Sequence, residues 1–258
     1  MPAVRTSKMP SKIVIHSFMR ETGKTNIAAG LAHLLAAYGE RVGIIDADIS
    51  VPVLHSRLGV DAGRLKYAFN HYLVGDCAIT DAAVDLAWDD ASPPAGALVL
   101  VPASTDHNAI RGVLHQDIDV RLLNAGIEDL AAAHNLDVVL LNAPAGLDEI
   151  SLSCMALADV LLIVLRLDKE DYHGTSVTID LARNLKVPNI LLAVNRAGSE
   201  YEPLEIRRSV EETYGCDAPV VLTAADEAAV LFAGHASVQE RLAHPLAALL
   251  RALRQKAP

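Results

Sequence analysis

Short runs of β-branched and aliphatic residues alternate along the chain with longer stretches in which apolar positions recur every three or four residues. The first pattern predicts strands and the second amphipathic helices. Residues 12–16 open the series as a strand. Residues 25–38 follow as a helix stopped by Gly39, which can take the left-handed conformation that ends helices. Further strands are predicted at 41–46, 97–101, 138–142, 160–165, 190–195 and 220–222, and helices at 175–185, 203–214 and 239–255. Pro203 suits a first helical position, where its missing N–H costs nothing.

Near-continuous apolar strands flanked by helices imply a sheet buried on both faces. The predicted fold class is therefore α/β: a doubly wound, mostly parallel sheet with helices on both sides and ligands bound at the carboxyl ends of its strands. The 258 residues fit one domain spanning 1–258, with residues 1–10 as a flexible amino-terminal arm. Residues 63–94 are less regular, and Asp89-Asp90 and Ser92-Pro93-Pro94 mark a surface loop there that decorates the domain. No internal repeat is visible.

Composition narrows the function classes. Apolar residues make up 52% of the chain and charged residues 21%, enough for a sizeable core. Aromatics are only 4%, so Ala, Leu, Val and Ile must fill that core. A net charge of −10 argues against a surface that coats nucleic acid. Cys77, Cys154 and Cys216 are odd in number and far apart, which suggests reduced thiols in a cytoplasmic protein rather than a zinc site or disulfide framework. The first ten residues have no apolar signal-peptide region, and no charge-free run of about 18 apolar residues exists to cross a membrane.

The candidate chemistry begins where the first strand ends, at Ser17-Phe18-Met19-Arg20-Glu21-Thr22-Gly23-Lys24-Thr25-Asn26. A bare Gly-Lys-Thr is a weak signal, but here it lies between an apolar strand and a helix. Backbone N–H groups and the helix dipole at such a junction form an anion site. Thr22, Gly23, Lys24, Thr25 and Asn26 would wrap nucleotide phosphates, with Lys24 on the β/γ-phosphates and the Thr25 hydroxyl on Mg²⁺. The first glycine of the G-x-x-x-x-G-K-[ST] pattern is Phe18.

Three later strand ends supply context. Asp46 and Asp48 close the second strand: Asp46 is a candidate for metal-bound water, and Asp48 either orients the attacking water or caps the next helix. The fourth strand ends in Asn142-Ala143-Pro144-Ala145-Gly146. Asn142 offers a neutral oxygen to Mg²⁺ where an aspartate is usual. Asn195-Arg196 closes another strand. There Asn195 could read an adenine edge and Arg196 cover the base, or both could be turn residues.

In these residues and their order the chain resembles the ParA/MinD family of deviant-Walker P-loop ATPases, over residues 12–253. The resemblance implies ATP or ADP with Mg²⁺ as cofactors and catalysis by Asp48 with Lys24. It also implies a nucleotide-dependent homodimer, and positioning of a cargo (chromosome, plasmid or protein complex) through an adaptor that stimulates hydrolysis. Three positions depart from that family: Met19 stands where its signature lysine reaches the partner's phosphates, Glu21 where it has glycine, and Asn142 where it has aspartate. Arg20 either substitutes for the lysine or faces solvent.

These departures leave a second reading open, a nucleotide-binding scaffold or regulator with weak or lost hydrolysis. A third is a dethiobiotin-synthetase-like ATP-dependent ligase, for which no substrate-binding set is recognisable. Leu246, Leu249, Leu250 and Leu253 form a helical stripe. Packing on the sheet explains that stripe better than membrane docking does. Arg241, Arg251, Arg254 and Lys256 offer a basic edge for weak nonspecific DNA binding, although a solvated helix face explains them better.

Overall fold

The apolar runs assemble as expected, into one sheet. The computed structural model describes residues 9–86, 96–113, 118–230 and 244–256. Its strands are β1 (Ser11–Ser17), β2 (Arg41–Asp46), β3 (Val84–Asp85), β4 (Ala97–Val101), β5 (Val138–Ala145), β6 (Val160–Leu165), β7 (Asn189–Ala197) and β8 (Asp217–Thr223). They lie in the order β3-β4-β2-β5-β1-β6-β7-β8. Every pairing is parallel except that of the short edge strand β3 with β4.

The helices are α1 (Lys24–Ala37), α2 (Leu54–Arg57), α3 (Phe69–Leu73), α4 (His107–Val113), α5 (Val120–His134) and α6 (Glu149–Ala156), followed by α7 (Lys169–Asn184), α8 (Pro203–Tyr214), α9 (Ala224–Val230) and α10 (Ala247–Lys256). They cover both faces of the sheet. Val14 of β1 joins a core cluster with Ile127 of α5, Met155 of α6, Ile179 of α7 and Ile206 of α8. Its neighbours Ile13 and Ile15 join a second cluster with Leu31 of α1 and Leu250 of α10. Alternate residues of one strand thus feed two cores, as a doubly wound sheet requires.

Several elements differ from the sequence pattern. Helix α5 was not predicted, although its stripe of Leu123, Ile127, Leu130 and Ala131 is buried and Asp119 caps it by accepting from the Arg121 N–H at 2.8 Å. Helix α6 was missed as well; Asp148 caps it by accepting from the Ser151 N–H. Helix α7 begins at Lys169 rather than at 175, because Asp168 caps that earlier turn by accepting from the Asp171 N–H at 3.0 Å.

Residues 63–86 do more than decorate. They supply the β3 edge strand and place Phe69, Leu73 and Ile79 in the core. The turn residues at 89–94, residues 1–8 of the arm, and residues 239–243 of the last helix, Arg241 included, lie outside the described residues.

The leucine stripe packs inward: Leu246, Leu249, Leu250 and Leu253 are all buried against the sheet. Among the described residues, no helix is long and apolar enough to cross a membrane. Two members of the proposed basic edge are already engaged. Arg254 reaches Glu40 at 3.0 Å and Lys256 reaches Asp217 at 3.3 Å. The three cysteines are free thiols.

Candidate functional site

The carboxyl ends of β1, β2, β5 and β7 converge on the loop between β1 and α1. Gly23 ends that loop in a left-handed conformation, with φ of 87°. A Cβ there would lie 2.2 Å from the Asn195 Nδ2 and 2.6 Å from a Glu227 oxygen, so the position requires glycine on both backbone and space. Four further bonds fix the loop. The Ser17 hydroxyl donates to the Met19 carbonyl at 2.8 Å, and the Gly146 N–H donates to the Ser17 carbonyl. Asn195 donates to the Thr22 carbonyl at 2.7 Å and Arg196 to the Glu21 carbonyl at 2.8 Å.

The first half of the loop explains its missing glycines. Phe18 is half-buried with its ring on Gly174 of α7, where a Cβ would come within 1.9 Å of the ring. Gly174 thus makes the room that the substitution at Phe18 needs. Glu21 is exposed and holds a left-handed φ of 59°, a conformation glycine takes freely and other residues take at a cost of about 1 kcal/mol. Its carbonyl is fixed by Arg196 rather than by Arg20.

Behind the loop, Lys24 is buried and threefold bonded. Its ammonium donates to Asp48 at 3.2 Å, to the Asn142 Oδ1 at 3.2 Å, and to the Ala143 carbonyl. The Asn142 Nδ2 in turn donates to Asp46 at 2.9 Å, and the Leu54 N–H donates to the other Asp46 oxygen at 3.3 Å. Strand register makes this chain possible, because Asp46 and Asn142 are direct neighbours on β2 and β5. Burial pushes the Asp46 carboxyl up to about 7, against the opposing pull of the Asn142 amide and the Lys24 charge. His16, at the end of β1, is buried beside this group. Burial first, then the charge of Lys24, lowers its imidazole to about 3, which keeps the ring neutral.

The predicted site residues therefore divide. Arg20, Thr22, Gly23, Lys24, Thr25, Asn26, Asp48 and Arg196 line one cavity of about 360 Å³. Asp46 and Asn142 sit behind Lys24, within the protein. Asn195 is fully buried under the loop with its Nδ2 committed to Thr22, while its Oδ1 has no partner among the described residues. Its visible work is to hold the loop, because its side chain points at backbone rather than into the cavity. Glu227 of α9 was not foreseen. It accepts from Arg196 at 2.6 Å and from Asn26 at 2.9 Å. Burial raises its carboxyl, but these bonds outweigh that effect and hold it below the usual range.

Among the described residues, no cluster of three or more His, Cys, Asp or Glu could cage a metal ion. A hydroxyl from Thr25 in the cavity and a carboxylate from Asp46 behind it are what Mg²⁺ accepts when phosphates and water supply the other ligands. The Asn142 oxygen is occupied by Lys24, so it reaches a cation only if that lysine moves.

Residues 11–190 match the family model described as an AAA domain. An uncharacterised ATP-binding protein of Methanocaldococcus jannaschii is 28% identical over 200 residues, 77% of this chain and 69% of that protein. The chromosome partitioning protein ParA of Caulobacter vibrioides is 31% identical over 148 residues, 56% of this chain and about half, 51%, of that protein. The septum site-determining protein MinD of Pyrococcus horikoshii, solved as its Mg-ADP complex, shares the fold with a TM-score of 0.74 at 22% identity. The match covers 95% of this chain and 96% of that one. With its family model, its relatives and its fold all in one group, the chain belongs to the ParA/MinD family of P-loop ATPases.

Proposed function

We propose that the chain binds ATP and ADP with Mg²⁺ in the cavity at the β1–α1 loop, hydrolyses ATP there, and pairs as a homodimer while nucleotide is bound. In that state it positions a cargo through an adaptor protein. The observation that carries this reading is the buried Lys24–Asp48–Asn142 contact at the carboxyl ends of β2 and β5, directly under the loop.

Lys24 holds Asp48 at 3.2 Å. A polyphosphate offers Lys24 a stronger anionic partner, and its transfer frees the Asp48 carboxylate. Asp48 then orients the water that attacks the terminal phosphorus and accepts its proton, while ADP leaves. Loop N–H groups, Thr22 through Asn26, and Arg20 hold the phosphates, Arg196 flanks the base side, and Asn195 holds the loop from beneath. When bound, Mg²⁺ neutralises charge on the phosphate oxygens. Thr25 would hold it, with Asp46 acting on its bound water and Asn142 reaching it only if Lys24 moves.

A second reading, a nucleotide-dependent scaffold or regulator with slow turnover, is favoured by Asn142. An uncharged amide leaves the cation with less negative charge than an aspartate would. Equilibrium binding of Mg-ATP and Mg-ADP, followed by single-site turnover, separates these readings on wild type, Lys24→Ala, Asp48→Ala and Arg20→Ala. The expected result is binding by wild type, loss of about 100-fold or more in Lys24→Ala, and binding without turnover in Asp48→Ala. Wild type that binds neither nucleotide would overturn both readings. Binding without turnover, alone and with candidate adaptors, would select the scaffold.

A further inference from the structure

Among the described residues, four cations line the cavity: Arg20, Lys24, Arg57 and Arg196. Two are committed. Lys24 is held by Asp48, Asn142 and Ala143, and Arg196 by Glu227 and the Glu21 carbonyl. Arg20 and Arg57 are exposed, and neither makes a hydrogen bond or ion pair with any described residue. Arg20 belongs to the loop itself. Arg57 comes from the other wall of the cavity, the segment that also contributes Asp48, Val51 and Val53.

That wall is built to present Arg57. Leu54 and Leu58 on α2 and just after it are buried, which turns the intervening surface outward. The Leu54 N–H is tied to Asp46 at 3.3 Å, and the Ser56 hydroxyl donates to the Val53 carbonyl at 2.8 Å. Asp46 therefore ties the short helix that carries Arg57 to the end of β2. An unpaired guanidinium lining this cavity is suited to a phosphate, which it can grip through two parallel N–H donors.

We infer that Arg57 reads the terminal phosphate of a nucleoside triphosphate in cis, supplying from α2 a cation that the loop lacks at Met19. The inference rests on nucleotide binding at the loop. Arg57 comes from the segment that carries Asp48, the residue proposed to act at the terminal phosphorus, so it meets the end of the polyphosphate and not the base. It thereby makes the site distinguish triphosphate from diphosphate, and it draws α2 towards the loop when ATP is bound.

The test is equilibrium binding of ATP and of ADP to dilute, monomeric protein, on wild type, Arg57→Ala, Arg57→Lys, Arg20→Ala and Lys24→Ala. Thermal melting verifies that each variant is folded. The expected result is that Arg57→Ala weakens ATP by about tenfold or more and ADP by less than about threefold, and that Arg57→Lys regains part of the loss. Equal losses for the two nucleotides, or no loss, would overturn the inference. So would an ATP-selective loss confined to Arg20→Ala, or one seen only in dimeric protein. These failures are distinct from that of the underlying reading, in which wild type binds neither nucleotide and Lys24→Ala changes nothing.

Discussion

The two halves of the β1–α1 loop are built on opposite terms. From Thr22 to Asn26 the backbone and side chains are tied to distant elements: Asn195 from β7, Glu227 from α9, and Asp48, Asn142 and Ala143 beyond β2 and within β5. From Phe18 to Glu21 the loop is half-buried or exposed. It tolerates a phenylalanine seated on Gly174 and a glutamate in a left-handed conformation. The inner half, where we propose that phosphate binds, presents groups whose positions are fixed by the sheet. The outer half is fixed mainly through its own carbonyls, which any residue has, so its side chains are free to vary.

The comparison breaks first at Gly23. In Gly23→Ala the new Cβ meets Asn195 and Glu227 at a positive φ, and both neighbours are already held by other bonds. The expected cost is about 3 kcal/mol of stability, read by urea unfolding, together with loss of nucleotide affinity. A variant as stable as wild type would show that the inner half is looser than its bonds imply.

A smaller effect is expected at Gly174, on the outer side. Gly174→Ala must push the Phe18 ring off α7, and the ring has solvent to move into, so the cost is about 1–2 kcal/mol. The coupling is the sharper measurement. In a Phe18→Ala background the same Gly174→Ala change should cost well under half as much, because the clash is gone. Equal costs in both backgrounds would mean that Phe18 and Gly174 do not constrain each other.

Much of this was legible in the sequence, and the reasons differ by element. The parallel strands are buried on both faces, so β1, β2, β5 and β6 read as unbroken apolar runs. Because strand ends gather at one edge, the order of Gly-Lys-Thr, Asp46, Asp48, Asn142 and Asn195 already described a site. Helix α5 carried a readable stripe and cap, yet with Asn124 and Gly126 inside it the segment offered low helical contrast.

Other features were not legible, because they are pairings and not patterns. Asn195 meets Thr22 across 173 positions, and nothing in a strand-end asparagine says whether its amide faces a ligand or a backbone carbonyl. Glu227 and Gly174 gain their meaning only from Arg196 and Phe18, which the fold brings to them. Nothing in the sequence links Arg57 to the loop; only the fold brings it to the cavity that Lys24 lines.

The smallest expected effect separates charge from backbone within the outer half, at Glu21. Its left-handed φ costs about 1 kcal/mol, but replacing it with glycine also frees the unfolded chain by roughly 0.5–1 kcal/mol. Glu21→Gly should therefore change stability by no more than about 0.5 kcal/mol. Glu21 also lines the cavity in which we propose that phosphate binds, where its carboxylate would oppose an anionic ligand through solvent. Glu21→Gly and Glu21→Gln should each tighten ATP binding by about two- to fivefold at low ionic strength, and the gain should shrink as salt screens the charge. Equal gains in the two variants assign the effect to charge, since glutamine keeps the backbone requirement unchanged. A gain in Glu21→Gly alone would assign it to backbone freedom, and would mean that the outer half constrains the phosphate grip after all.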